Sequence, residues 1–104
     1  MRRGVLELCI LSILSEKETY PPDIMKELKG YDLIVVEGTL YPLLTRLKNA
    51  GLLAYTWKES RSGPPRKYYR ITETGEEFLL GLLATWNQLV NAVKNTTKNI
   101  TTNE

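Results

Sequence analysis

The sequence contains no histidine, and that absence removes His-based triads, imidazole metal sites and the usual general base together. A single cysteine, Cys9, can form neither an internal disulfide nor a thiolate zinc cage. It lies in an apolar run, which marks it as a structural thiol. No apolar stretch is long enough to span a bilayer. Met1-Arg2-Arg3 followed by residues 5–14 faintly resembles a secretory signal, but Glu7 interrupts the run and no small-residue cleavage site follows. The chain is therefore expected in the cytoplasm, without a membrane partner, and there the glycosylation patterns at Asn95 and Asn99 have no consequence. No set of residues reads as nucleophile with base, metal cage or phosphate loop, so no cofactor is expected and an enzyme is the least supported class.

Charge of one sign is scarce as well, the net value being only +2. Its distribution says more. Residues 51–72 carry Lys58, Arg61, Arg66, Lys67 and Arg70 against the single acid Glu59. A local basic patch of this kind is a better nucleic-acid signal than overall charge.

What is present is organised around Glu37-Gly38-Thr39-Leu40-Tyr41-Pro42-Leu43-Leu44-Thr45-Arg46-Leu47-Lys48-Asn49-Ala50-Gly51. Leu40, Leu43, Leu44 and Leu47 recur at helical spacing and form one apolar stripe. Tyr41, Pro42, Thr45 and Asn49 fall on the opposite face, flanked by Thr39, Arg46 and Lys48. Such side chains bond base edges and phosphates while the leucines anchor the helix from behind. Pro42 removes one backbone bond, which is tolerable near a first turn, so the helix is expected to start at about Glu37 or Gly38. Gly51 supplies a left-handed stop.

Ahead of this helix, residues 4–15 read as a helix that is apolar nearly all round, with more apolar face than its own domain needs. Residues 16–19 are a polar connection, and Pro21-Pro22-Asp23 opens a second helix with Ile24, Met25 and Leu28 on its buried side. After Gly51, residues 52–58 and 67–72 are strand candidates, and the polar stretch Glu59–Arg66 between them is expected to be an irregular loop. Trp57 on the first strand is expected to be a packing residue. Three helices followed by a basic hairpin make a helix-turn-helix with a wing that lies on the phosphate backbone or in the minor groove. Thr72 caps a last helix, whose Leu79, Leu82, Leu83, Trp86, Leu89, Val90 and Val93 recur at three- and four-residue steps. That stripe is too long to cover a small domain alone and predicts a homodimer.

The motifs Glu37-Gly38-Thr39-Leu40-Tyr41-Pro42, Arg46-Leu47, Gly51-Leu52-Leu53 and residues 62–75 (Ser-Gly-Pro-Pro-Arg-Lys-Tyr-Tyr-Arg-Ile-Thr-Glu-Thr-Gly) closely resemble the PadR family of bacterial transcriptional regulators. The resemblance covers residues 4–93 and implies a mainly α (α+β) fold. Residues 1–72 would be a winged helix-turn-helix DNA-binding domain with a two-stranded wing, residues 73–95 a long dimerisation helix and residues 96–104 a disordered tail. It also implies a homodimer on operator DNA, usually as a repressor, with the helix at 37–50 as recognition helix. Thr39, Tyr41, Pro42, Thr45, Arg46, Lys48 and Asn49 would then face DNA from that helix, and Arg61, Arg66 and Lys67 from the wing. One departure is Pro21-Pro22, where the family commonly has Gly-Tyr; a phosphate contact carried there would be missing, with Tyr20 as the residue that would compensate.

A finer resemblance concerns Trp86, which sits where multidrug-binding members of the smaller branch carry a tryptophan that sandwiches flat aromatic compounds across the dimer. The resemblance implies a planar aromatic ligand held by Trp86 with Leu83, Val90, Leu8 and Glu7, the carboxylate favouring planar cations. Two other classes stay open: a winged helix serving as a protein-interaction module, and a dimeric small-molecule carrier without DNA function.

Overall fold

The computed structural model describes residues 3–100. In chain order it forms α1 (Arg3–Glu16), α2 (Pro21–Gly30), α3 (Glu37–Asn49), β1 (Leu53–Ser60), β2 (Gly63–Ile71) and α4 (Glu73–Thr96). Leu6, Ile10, Leu11, Ile13 and Leu14 of α1 meet Ile24 and Leu28 of α2 and the four leucines of α3 in one core, closed by Leu52, Leu53 and Tyr69. The α3 stripe is therefore buried as its spacing requires. Replacing Leu40 or Leu44, neither of which has any exposed surface, with alanine would cost about 3 kcal/mol each.

The two inner helices stop by the same device. At the end of α3, Gly51 has φ +81°, the Leu52 N–H donates to the Leu47 carbonyl and the Gly51 N–H to that of Lys48. At the end of α2, Asp32 takes the left-handed conformation (φ +66°), with Leu33 donating to Leu28 and Asp32 to Lys29. Gly30 is still helical, and a short polar side chain tolerates the positive φ that follows.

β1 and β2 form an antiparallel hairpin in which Leu53 faces Ile71, Tyr55 faces Tyr69 and Trp57 faces Lys67. The expected loop at 59–66 is corrected here: β1 runs to Ser60 and β2 begins at Gly63, leaving only Arg61 and Ser62 as the turn. The prolines are accommodated because the register shifts between Lys58 and Ser60, so that Pro64 and Pro65 together oppose Glu59. A bulge of this kind absorbs residues without an N–H, and in a two-stranded sheet both strands are edges. The connection after α1 is also more than a link. Thr19 is buried and exchanges both backbone hydrogen bonds with Tyr69 (2.9 and 3.0 Å), docking a third strand-like residue on β2.

α4 is joined to this body by Thr72. Its Oγ1 accepts from the Gly75 N–H at 2.9 Å and donates to the Gly51 carbonyl at 2.7 Å, so one hydroxyl caps α4 and holds the end of α3. Leu79 and Leu82 then pack against the core. Beyond Leu82 the apolar side of the helix is exposed, and the molecule extends to 57 Å along its longest axis. The helix ends at Thr96, the Thr97 hydroxyl bonds the Val93 carbonyl, and Ile100 donates to Thr97. Residues 97–100 of the tail expected to be disordered thus form a further turn, whereas its residues 101–104 lie outside the described residues, as do Met1 and Arg2. No helix among the described residues is long and apolar enough to cross a membrane.

Candidate nucleic-acid interface and apolar groove

With its leucines buried, α3 turns Gly38, Thr39, Tyr41, Pro42, Thr45, Lys48 and Asn49 outward, all exposed. This surface offers hydroxyl, amide and ammonium groups beside an aromatic ring, with Glu37 as its one carboxylate at the helix start. Burial pushes the Tyr41 phenol above its usual range, and the Glu37 carboxylate and Tyr20 add to the shift. Arg46 behaves differently from the rest: its guanidinium lies 2.8 Å from the Glu7 carboxylate of α1.

The hairpin sorts its residues by strand alternation. One face carries Tyr55, Trp57, Lys67 and Tyr69, with the Lys67 ammonium 4.3 Å from the Tyr55 ring centre and 5.3 Å from that of Trp57. Lys48 of α3 reaches the same Tyr55 ring at 5.6 Å, which ties α3 to the wing. The other face carries Arg66 and Tyr68. Arg66 stacks 4.7 Å above Tyr20, Tyr20 lies 5.8 Å from Tyr68, and Lys58 sits over Tyr68 while pairing with Glu18. Arg61 stands exposed in the turn itself. Cation–π contacts of this kind position a charge without neutralising it.

Two features of this surface were not read from the sequence. Trp57, expected as a packing residue, is 59% exposed; it meets Tyr55 edge-on at 6.1 Å and forms part of the outer wing instead. Strand alternation alone did not reveal this, because a two-stranded wing twists away from the core beyond Tyr55. The stacking of Tyr20 under Arg66 joins residues far apart in the chain, and no local pattern signals it.

A second site lies at the far side of α1. Gly4, Val5 and Leu8 of α1 and Leu82, Thr85, Trp86, Leu89 and Val93 of α4 line an open groove of about 610 Å³. Leu8 and Trp86 are thus brought together. Leu83 lines the adjoining groove between α1, α2 and α4 with Leu8. Val90 and Glu7 lie outside the Trp86 lining, and Glu7 faces α3. In one chain this apolar surface is open to water: Trp86 is 39%, Leu89 52% and Val93 53% exposed. Cys9 is half-buried in the adjoining groove between α1, α2 and α4, and burial pushes its thiol up, as suits a packing role.

Comparison with known proteins places these features in one family. Residues 10–80 match the model of the transcriptional regulator PadR-like family. A PadR-like transcription factor from Bacteroides fragilis is 55% identical, with a TM-score of 0.83 over 92% of this chain and 93% of that one. A PadR family transcriptional regulator from Eggerthella lenta is 37% identical, with a TM-score of 0.85 over 93% and 85% of the two chains. A PadR-like transcriptional regulator from Bacillus cereus is 40% identical, with a TM-score of 0.81 over 93% and 95%. With matched family residues running from the core of α1 through α3 and the wing into α4, the chain belongs to the PadR-like family of transcriptional regulators.

Proposed function

We propose that the protein is a homodimeric, cytoplasmic repressor that binds a pseudo-palindromic operator through α3 and the β1–β2 wing. The observation that carries this reading is the division of α3 into a fully buried leucine side and an exposed side of Thr39, Tyr41, Thr45, Lys48 and Asn49, next to a wing whose cations are held on aromatic rings. Tyr41, Thr45 and Asn49 are the base-edge residues, with Pro42 shaping the surface between them. Thr39 and Lys48 lie nearer phosphates, and Arg61, Arg66 and Lys67 supply the salt-dependent part of the affinity.

The second copy covers the exposed stripe of α4. Leu83, Trp86, Leu89, Val90 and Val93 form an apolar surface that a single chain leaves in water, and a symmetric mate buries it. A planar aromatic compound would enter between the two Trp86 rings and change the spacing of the recognition helices. Derepression follows only if its affinity differs between the two spacings. Selection of preferred duplexes from a random pool tests the reading: it predicts an inverted repeat with half-sites centred about 34 Å apart, one turn of DNA. Recovery of an unrepeated half-site would rule out the symmetric dimer on DNA.

A further inference from the structure

We propose that Glu7 is a positioning residue for DNA recognition: its carboxylate ties the recognition helix to α1, the helix that floors the Trp86 groove. The inference rests on the DNA-binding reading above. Glu7 interrupts the apolar run of α1, and its side chain is only 16% exposed against 41% for Arg46. Arg46 Nη2 donates to this partly desolvated carboxylate at 2.8 Å. The guanidinium thereby turns back into a cleft shared with Leu47, Ala50, Leu52 and Phe78, away from the line of Thr45 and Asn49.

The consequence for α3 follows from the kind of force involved. The four buried leucines of α3 set which side of it faces inward, through a force that carries no direction of its own. A charge-assisted hydrogen bond is directional and partly desolvated, so it fixes the helix's rotation about its axis. The rotation of α3 decides which of Tyr41, Thr45 and Asn49 reach base edges. The same tie reaches the other site. Leu8 follows Glu7 about 100° around α1, and with Val5 it lines the groove beneath Trp86. Whatever fills or covers that groove therefore presses on the turn of α1 that holds Arg46.

Four proteins test this on the duplex that the wild type selects from a random pool and on an unrelated duplex: wild type, Glu7→Gln, Arg46→Gln and the double variant. Each single change is expected to weaken the selected duplex about tenfold, to leave the unrelated duplex within about twofold, and to keep the salt slope. The double variant should be no weaker than the weaker single. Wild-type selectivity in Glu7→Gln, additive losses, or an Arg46→Gln variant with a lower salt slope and equal loss on both duplexes would each overturn the tie; the last would make Arg46 a phosphate contact. Should Glu7→Gln melt well below the wild type, Glu7→Asp keeps the charge but shortens its reach; the same loss of selectivity is expected, and unchanged selectivity overturns the proposal. A wild type that selects no duplex would instead refute the DNA-binding reading and remove the role assigned to the pair.

Discussion

A Cβ on Gly75 would stand 2.1 Å from the carbonyl oxygen of Leu52 and 2.7 Å from Cγ1 of Ile71. The first turn of α4 thus lies directly on the backbone that leaves α3, and only a residue without a side chain permits it. The Leu52 carbonyl is also the acceptor for the Thr72 N–H at 3.0 Å, so it cannot retreat without losing a bond.

Gly75→Ala is therefore expected to destabilise the fold by about 3 kcal/mol, lowering the Tm by roughly 15 °C. Thermal unfolding by circular dichroism checks this. A variant melting with the wild type would show that α4 can lift from Leu52 at little cost.

Arg66 stacks on Tyr20 with its charge intact, so its expected role is general attraction to the phosphate backbone. Arg66→Ala should weaken binding about equally for all duplexes and flatten the slope of log K against log salt by roughly 1.8 per dimer, one contact from each subunit. Titrations at several salt concentrations measure it. An altered sequence preference with an unchanged slope would reassign Arg66 to base readout.

Leu89 is half exposed in the middle of the uncovered α4 stripe. Leu89→Glu should leave the winged-helix core unaffected, because that residue lies outside it, while placing a charge in the proposed subunit interface. Sedimentation should show the wild type as a dimer and this variant as a monomer. A wild type that sediments as a monomer at micromolar concentration would remove the dimer from the account.

The main outline was legible in the sequence because it rests on short-range rules. The leucine spacing placed the buried side of α3, the proline pair located the start of α2, and Gly51 marked the end of α3 with the positive φ found there. What was not legible depends on contacts between distant residues. Residues 59–66 looked irregular because their prolines argue against a strand, yet a register shift opposite Glu59 lets the ladder continue. Arg46 looked like one of several flanking cations, and only the approach of α1 distinguishes it from Lys48. Trp57 looked like a packing residue because indoles usually are, and the length of the wing beyond the core exposes it.

Trp86 is one of two tryptophans, and the other, Trp57, is exposed on the wing. In a Trp57→Phe background the indole fluorescence reports Trp86 alone. Planar aromatic cations are expected to quench it saturably, and Trp86→Ala should abolish their binding. Quenching that rises linearly without saturation would mean collision in solution, and the groove would then be interface alone.

In the function proposed above, α3 and the wing together read DNA. Its most direct test is fluorescence anisotropy of the purified protein on the duplex just upstream of its own coding region, at several salt concentrations and with unrelated competitor DNA. The account predicts tight binding that survives competitor and weakens log-linearly with salt. Weak binding without sequence preference would move the operator elsewhere while keeping the DNA contact, and no binding even at low salt would contradict the account.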